Sequence, residues 1–227
     1  MLIAEDLLLL LTDDAAGKLA VSGVEADIAL GGANLVELAL LERVDVTGEA
    51  DGGRTGRLVV RDPSPTGDPL LDSALMIIGQ RQGKKPAAAI SPLSKDLRDT
   101  LFGRLVDRGI LRAERGKILG IFPTRSWPAQ DASHEAEVRR LVTQSLVHGI
   151  TPDPRTAALV SLLHALKAVP KVVDPREHGV AKRDLQAHAK QIAEGDWASK
   201  AVRQAIDEMM AAVMAATTVA TTAAATS

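Results

Sequence analysis

Cysteine is absent from this chain. That excludes disulfides, thiolate nucleophiles and Cys-ligated zinc or iron–sulfur sites, and it fits a reducing compartment. Aromatic residues are scarce, with two Trp and two Phe, so the core must be built from Leu, Val, Ile and Ala. Charge of one sign is lacking too. A formal net charge of −2 gives no whole-molecule attraction to nucleic acid or to an anionic membrane, and any such attraction must come from a local patch. Long hydrophobic runs are missing as well. The apolar run from Leu7 to Leu11 is short and follows Glu5 and Asp6, where a secretory signal needs basic residues. Residues 209–227 carry no charge, but they are mostly Ala and Thr, which gain little in hydrocarbon. A span needs about 20 strongly apolar residues. The expectation there is a helix end at 209–216, then a fraying Thr/Ala tail.

What is present is aliphatic and helical. Hydrophobic residues make up 46% of 227 positions, enough for one sizeable core. Residues 1–11 read as a helix or an apolar strand. Residues 29–41 read as a helix, with Leu30, Leu35, Leu38 and Leu41 near helical spacing. Residues 44–46 and 57–61 read as two strands of a hairpin around a Gly-rich turn. A rigid loop with Pro63, Pro65, Gly67 and Pro69 leads into a short helix at 70–80. Residues 91–108 form the best-marked helix: Ser91 suits the cap, Pro92 the first turn and Gly109 the exit. Leu93, Leu97, Leu101 and Leu105 give it one buried stripe. A second hairpin is expected from residues 110–113 and 117–122 around Glu114-Arg115-Gly116, followed by a loop at 123–131 holding Trp127. Helices are then expected at 135–148, 154–169 and 182–216, the last broken near Gly195. The fold class is therefore mainly α: a single globular domain with a helix-bundle core and peripheral β-hairpins, spanning 1–208, with 209–227 as helix end and low-complexity tail.

The catalytic look-alikes fail on context. Gly48, Gly53, Arg54 and Thr55 approach a phosphate-binding P-loop, but Arg replaces Lys. The next residues read as a strand, where a P-loop opens a helix. His134-Glu135 begins a zinc-helix motif, but position 138 is Val, and both imidazoles are needed one turn apart. His164 lies in an apolar run and reads as a core histidine; His178 and His188 read as surface residues. No Gly-x-Ser-x-Gly elbow places a serine nucleophile. Neither a metal nor another cofactor is expected.

Two features point to binding. Lys95 and Arg98 stand one turn apart in the expected 91–108 helix, near its start, where amides and dipole favour an anion. A solvated surface pair bound to Asp96 or Asp99 is the plainer reading of the same residues. The second feature is Ile118, Leu119, Ile121 and Phe122, a run interrupted only by Gly120. A half-buried strand should alternate, so this run is either buried on both faces or meets lipid or protein. Arg112, Arg115 and Lys117 beside it suit anionic headgroups.

Several segments in order carry a family resemblance: Glu5-Asp6-Leu7-Leu8-Leu9-Leu10, Leu35-Val36-Glu37-Leu38-Ala39-Leu40, Pro65-Thr66-Gly67-Asp68-Pro69-Leu70-Leu71-Asp72, and Leu105-Val106-Asp107-Arg108-Gly109-Ile110-Leu111. Phe122-Pro123 and Arg125-Ser126-Trp127-Pro128 follow. Together they resemble the Golgi phosphoprotein 3 (GPP34) family over about residues 1–200, and the Pro65–Asp72 segment is the most specific. The resemblance implies a non-catalytic helical domain and a peripheral membrane protein that binds phosphatidylinositol 4-phosphate and the cytosolic tails of membrane proteins. It implies headgroup binding by Lys95 and Arg98, and membrane or partner contact by Ile118, Leu119, Ile121 and Phe122. The family's headgroup Trp and first headgroup Arg fall on Ser22 and Gly31, both departures. High Ala and Gly with few Lys suggests a bacterial source. The resulting expectation is a cytoplasmic, peripherally membrane-associated protein whose partner is an anionic phospholipid membrane, with a homo-oligomer allowed and no nucleic acid. A protein adaptor using the 110–122 hairpin, or a winged-helix nucleic-acid binder, are the competing readings. Acidic net charge weighs against the last, because phosphate contacts dominate nucleic-acid affinity.

Overall fold

The computed structural model describes residues 1–13, 16–51, 54–118, 122–195 and 200–225, with side chains left out at 50, 115–118, 122–124, 200–205 and 221–225. Ten helices and two antiparallel hairpins are described. The helices form the bundle core and the hairpins lie at its periphery, so the mainly-α reading holds. The bundle is centred on α1 (Ile3–Leu11) and α2 (Gly23–Leu40). All nine residues of α1 are buried, so the apolar run Leu7 to Leu11 becomes a helix enclosed on every side. A helix apolar all round has no solvent face to offer.

Local chemistry sets most boundaries. Helix α2 begins two turns before the expected start because Ser22 and Glu25 form a reciprocal capping box. Ser22 Oγ accepts from Glu25 N–H at 3.2 Å, and Ser22 N–H donates to Glu25 Oε2 at 2.9 Å. Helix α3 (Pro69–Gly79) is capped by Asp68, whose Oδ1 accepts from Leu70 N–H at 2.9 Å, with Pro69 at the first helical position. The loop before it needs Gly67, which stands at φ +88°. Helices α6 (Ser133–His148), α7 (Pro154–Ala165), α8 (Val169–Val172) and α9 (Lys182–Glu194) complete the bundle with α10 (Lys200–Ala225). Asp153 caps α7 through Arg155 and Thr156 N–H, and Gly149 ends α6 at φ +65°.

The expected 154–169 helix ends at Ala165, with α8 separate from it, and the structure corrects the sequence reading in three further places. The expected helix at 91–108 is two helices, α4 (Ala87–Ser94) and α5 (Leu97–Asp107). Ser91 and Pro92 lie inside α4 and cap nothing. The break follows Ser94, whose hydroxyl donates to the Ile90 carbonyl at 2.8 Å, and passes through Asp96 at φ 56°. Asp is one of the few residues that tolerate that left-handed region. The leucine stripe survives: Leu93, Leu97, Leu101 and Leu105 are all buried.

The second hairpin is displaced along the chain. Its strands are β3 (Glu114–Ile118) and β4 (Phe122–Ser126), paired from Glu114↔Ser126 to Ile118↔Phe122. The expected turn Glu114-Arg115-Gly116 therefore sits inside a strand, and Pro123 sits in β4 instead of a loop. A two-stranded ribbon has only edge strands, where a missing N–H is tolerated. The first hairpin, β1 (Val44–Val46) with β2 (Leu58–Val60), falls where it was read. Third, α10 (Lys200–Ala225) continues past Ala216, where the sequence reading ended it. Met209, Ala212 and Val213 are buried, and a Cβ on Gly32 of α2 would stand 2.3 Å from Val213 Cγ2. The two helices meet at that glycine.

Candidate functional site

The N-terminus of α2 is where one of the two candidate anion-binding residues, Arg98, is placed. An 18-residue helix leaves its first amides unpaired by intrahelical bonds and carries the positive end of its dipole there. Arg98, in the first turn of α5, lays its guanidinium against this end: Nη1 lies 2.5 Å from where a Cβ on Gly23 would stand. A side chain at position 23 would make the guanidinium shift from this place. One turn on, Arg98 Nε faces Asp27 Oδ1 at 3.4 Å, with the two side chains 30% and 34% exposed. Burial pushes the Asp27 carboxyl above its ordinary value; Arg98 pulls it back and Asp99 adds to the rise. The cation beside the positive end of the helix thus faces Asp27, a carboxylate that ionises reluctantly, with the capping Glu25 at the same end.

Lys95 does not share a helix with Arg98. It is the residue after α4, in extended backbone at φ −63°, ψ 123°. It is exposed and makes no hydrogen bond or ion pair with any described residue. Its side chain lines a pocket bounded by α2, α3, α4 and α5, which also holds Asn34 but not Arg98. Asn34 lies seven residues beyond Asp27, about 10 Å along α2 at 1.5 Å per residue. The left-handed Asp96 sets the two cations apart, and the one-turn spacing read from sequence does not apply.

The two departures from the family's headgroup pattern have structural explanations. Ser22 is the capping residue of α2. At Gly31 a Cβ would lie 2.5 Å from Ser94 Oγ and 3.0 Å from the Ile90 carbonyl. Any Cβ there makes the α4 backbone give by a few tenths of an ångström, and an Arg would have to push the helices apart.

Of the expected contact residues, Ile118 and Phe122 face each other as the last pair of the β3–β4 ribbon. Leu119 and Ile121 lie outside the described residues. The ribbon's strands pack mainly on each other. At its base Leu111 bridges Ala129 and Arg112 N–H donates to the Pro128 carbonyl at 3.0 Å. Trp127, just beyond β4, stacks on Phe102 of α5 with ring centroids 3.9 Å apart.

The remaining polar motifs resolve into structure. After Thr55 the chain enters β2, so the P-loop look-alike opens no helix; Gly53 lies outside the described residues. His134 Nε2 contacts Asp6 Oδ1 at 2.8 Å, and His188 Nδ1–H donates to the Leu146 carbonyl at 2.6 Å. Burial lowers the pKa of His164. No cluster of three His, Asp or Glu able to hold a metal exists among the described residues, and no helix there is long and apolar enough to cross a membrane.

Sequence reasoning missed an ionic network at the start of α1. Glu5 is fully buried and meets Arg104 Nε at 2.8 Å and Arg108 Nη1 at 3.0 Å. Asp6 meets Arg155 at 2.9 Å, and Arg155 Nη1 also meets Glu37 at 2.9 Å, while Glu37 accepts from Ile3 N–H. Two acids inside an otherwise apolar helix were the available signal, since buried carboxylates need cations or donors.

The family model for Golgi phosphoprotein 3 (GPP34) matches residues 3–209. The chain is also similar to "Vacuolar protein sorting-associated protein 74" of the fungus Eremothecium gossypii, at 28% identity over 216 residues, covering 80% of this chain. It spans 63% of that relative's length. The ion-paired Glu5-Asp6 pair and the Asp68 cap both lie within the matched region. The chain thus belongs to the Golgi phosphoprotein 3 (GPP34) family.

Proposed function

We propose that this protein binds anionic phospholipid headgroups at a membrane surface as a peripheral, cytoplasmic protein. The observation that carries the reading is the Arg98 guanidinium held over Gly23 at the start of α2. Helix amides and a cation converge there, as an anion site requires. Lys95 supplies a second, unpaired cation nearby in sequence. The β3–β4 ribbon, whose last described pair is Ile118 and Phe122, would enter the headgroup layer together with Leu119 and Ile121 of the same apolar run. Family membership supports phosphatidylinositol 4-phosphate as the lipid, although Ser22 and Gly31 remove two of the side chains by which the family reads it. Cytosolic tails of membrane proteins are the further partner that membership suggests.

Co-sedimentation with vesicles tests the proposal. Wild-type protein should sediment with vesicles carrying phosphatidylinositol 4-phosphate or phosphatidylserine, and Lys95→Ala/Arg98→Ala should remain in the supernatant. Equal sedimentation of the two proteins would rule the site out. A second reading, an adaptor or oligomer contact, is favoured by the ribbon's open strand edges, which can pair with another chain. A Leu119→Asp variant separates the two: loss of vesicle binding with unchanged light scattering supports lipid, and a change of mass supports the interface.

A further inference from the structure

The pocket that Lys95 lines is bordered by a buried polar group that has no hydrogen-bond partner among the described residues. Asn34, on α2, is 2% exposed, and its Oδ1 is buried without a hydrogen-bond donor from any described residue. A buried acceptor left unpaired is costly, and such groups are rare unless something else satisfies them. Leucine has nearly the same shape and would carry no such cost. Asn34 lines a pocket of about 460 Å³ between α3 and the α4–α5 junction.

The other lining groups narrow what could fit. Leu93 and Leu97 form apolar wall. Ser73 Oγ donates to the Pro69 carbonyl at 2.8 Å, and Thr100 Oγ1 donates to the Asp96 carbonyl at 2.9 Å. Their single hydroxyl protons are spent, so toward the pocket they can only accept. Arg104 also lines it, but Glu5 and Asp68 neutralise its guanidinium. Lys95 is the one lining cation with no partner among the described residues. A matching ligand therefore carries a hydroxyl or N–H for the acceptors, an apolar body, and an anionic group for Lys95.

We propose that this pocket binds a small amphipathic anion, with a hydrogen-bond donor at Asn34 and a carboxylate or phosphate at Lys95. The site shares Lys95 with the headgroup reading but uses neither Arg98, Ser22 nor Gly31. The anion could belong to a lipid or to a free metabolite.

The test uses 8-hydroxyoctanoate, with octanoate lacking the hydroxyl and 1,8-octanediol lacking the charge, titrated into the full chain by NMR. Wild type should favour the hydroxy acid over octanoate about tenfold, and Asn34→Leu should erase that preference while raising the melting temperature. Lys95→Ala should weaken the hydroxy acid about threefold to fivefold, the scale of one exposed ion pair, and leave the diol unchanged. Ser73→Phe, at an exposed position, should block all three probes. An undiminished hydroxyl preference in Asn34→Leu, a lowered melting temperature there, or equal binding of acid and diol would overturn the proposal. Arg98→Ala should lose vesicle binding yet keep the probe, so failure of the headgroup reading remains distinguishable. Displacement of phosphatidylserine-containing vesicles by saturating 8-hydroxyoctanoate assigns the natural anion to a lipid; binding of both together assigns it to a soluble compound.

Discussion

The Arg104 guanidinium grips Asp68 with two hydrogen bonds, Nη1 to Oδ1 at 3.0 Å and Nη2 to Oδ2 at 2.5 Å. The same guanidinium turns its Nε to the buried Glu5. One side chain of α5 thus ties the cap of α3 to the start of α1. This accounts for the most specific part of the family signature. Pro65-Thr66-Gly67-Asp68 is a turn whose Asp both caps a helix and accepts the arginine, and Asp72 steadies it by accepting from Thr66 N–H at 2.6 Å.

Removing Arg104 should therefore cost much more than removing Asp68. Arg104→Met leaves the buried Glu5 with the more exposed Arg108 and the Leu2 N–H, both on Oε2, and breaking a buried pair from one side costs about 3–5 kcal/mol. Asp68→Asn keeps the cap and loses a charged acceptor, about 1.5–3 kcal/mol. Urea unfolding of both variants measures the order, and a reversed order would refute it.

The acid limb of stability should carry the same signature. Burial alone would raise Asp68, but hydrogen bonds from Arg104 and from Leu70 N–H prevail and hold its pKa below the ordinary carboxylate value. A carboxyl depressed in the folded state contributes stability above its unfolded pKa and loses it as pH falls through the folded one. Asp68→Asn should accordingly flatten the stability curve below about pH 4, near the ordinary Asp pKa, as read by thermal melts along a pH series.

Little of this geometry was legible in the sequence, for physical reasons that differ by element. The leucines at 93, 97, 101 and 105 marked a buried stripe correctly, because burial follows spacing. The break at Asp96 was invisible, since one left-handed residue between two helices leaves that spacing intact. Glu5 and Asp6 stood out as acids beside an apolar run. Their partners Arg104, Arg108 and Arg155 lie about a hundred or more positions away, and single-sequence patterns carry no such pairing. The tip of the second hairpin was misplaced because Gly116 and Gly120 both offer a turn.

Gly31→Arg supplies the arginine that the family resemblance implies at this position, and it should fail to create a headgroup site. The added Cβ meets the Ile90 carbonyl and Ser94 of α4, and overpacking of this kind costs about 1–3 kcal/mol. The expected outcome is a lower melting temperature with no gain in selectivity for phosphatidylinositol 4-phosphate over phosphatidylserine vesicles. Gly31→Ala should lie between, since it adds the contact without the charge.

Asp27 offers a pH test of the anion site. Its carboxyl titrates above the ordinary value, so mild acid neutralises it before most carboxylates. Neutral Asp27 releases Arg98 to an external anion. Vesicle binding should therefore strengthen as pH falls through that range, and Asp27→Asn should bind at neutral pH as strongly as wild type does in acid. A raised carboxyl pKa also means that ionised Asp27 costs folding stability above its folded pKa, and the cost vanishes below its unfolded pKa. Asp27→Asn should hence be as stable as wild type or more so at neutral pH. A variant that bound vesicles no better than wild type at any pH would show that Asp27 does not compete for Arg98.

The C-terminal helix decides whether the domain stops at residue 208. If the domain ended at residue 208, charges beyond it would be tolerated everywhere. The packing says otherwise on one face only. Val213 is fully buried against Gly32 of α2, while Val219 is 71% exposed. An aspartate at 213 would bury an unpaired charge in the tightest contact between α2 and α10, a mechanism that produces losses above about 4 kcal/mol. The same change at 219 should stay within about 0.5 kcal/mol. Val213→Asp should therefore unfold at much lower urea than Val219→Asp, and truncation after residue 208 should resemble the former. Two variants of equal stability would instead return α10 beyond residue 208 to the status of a tail.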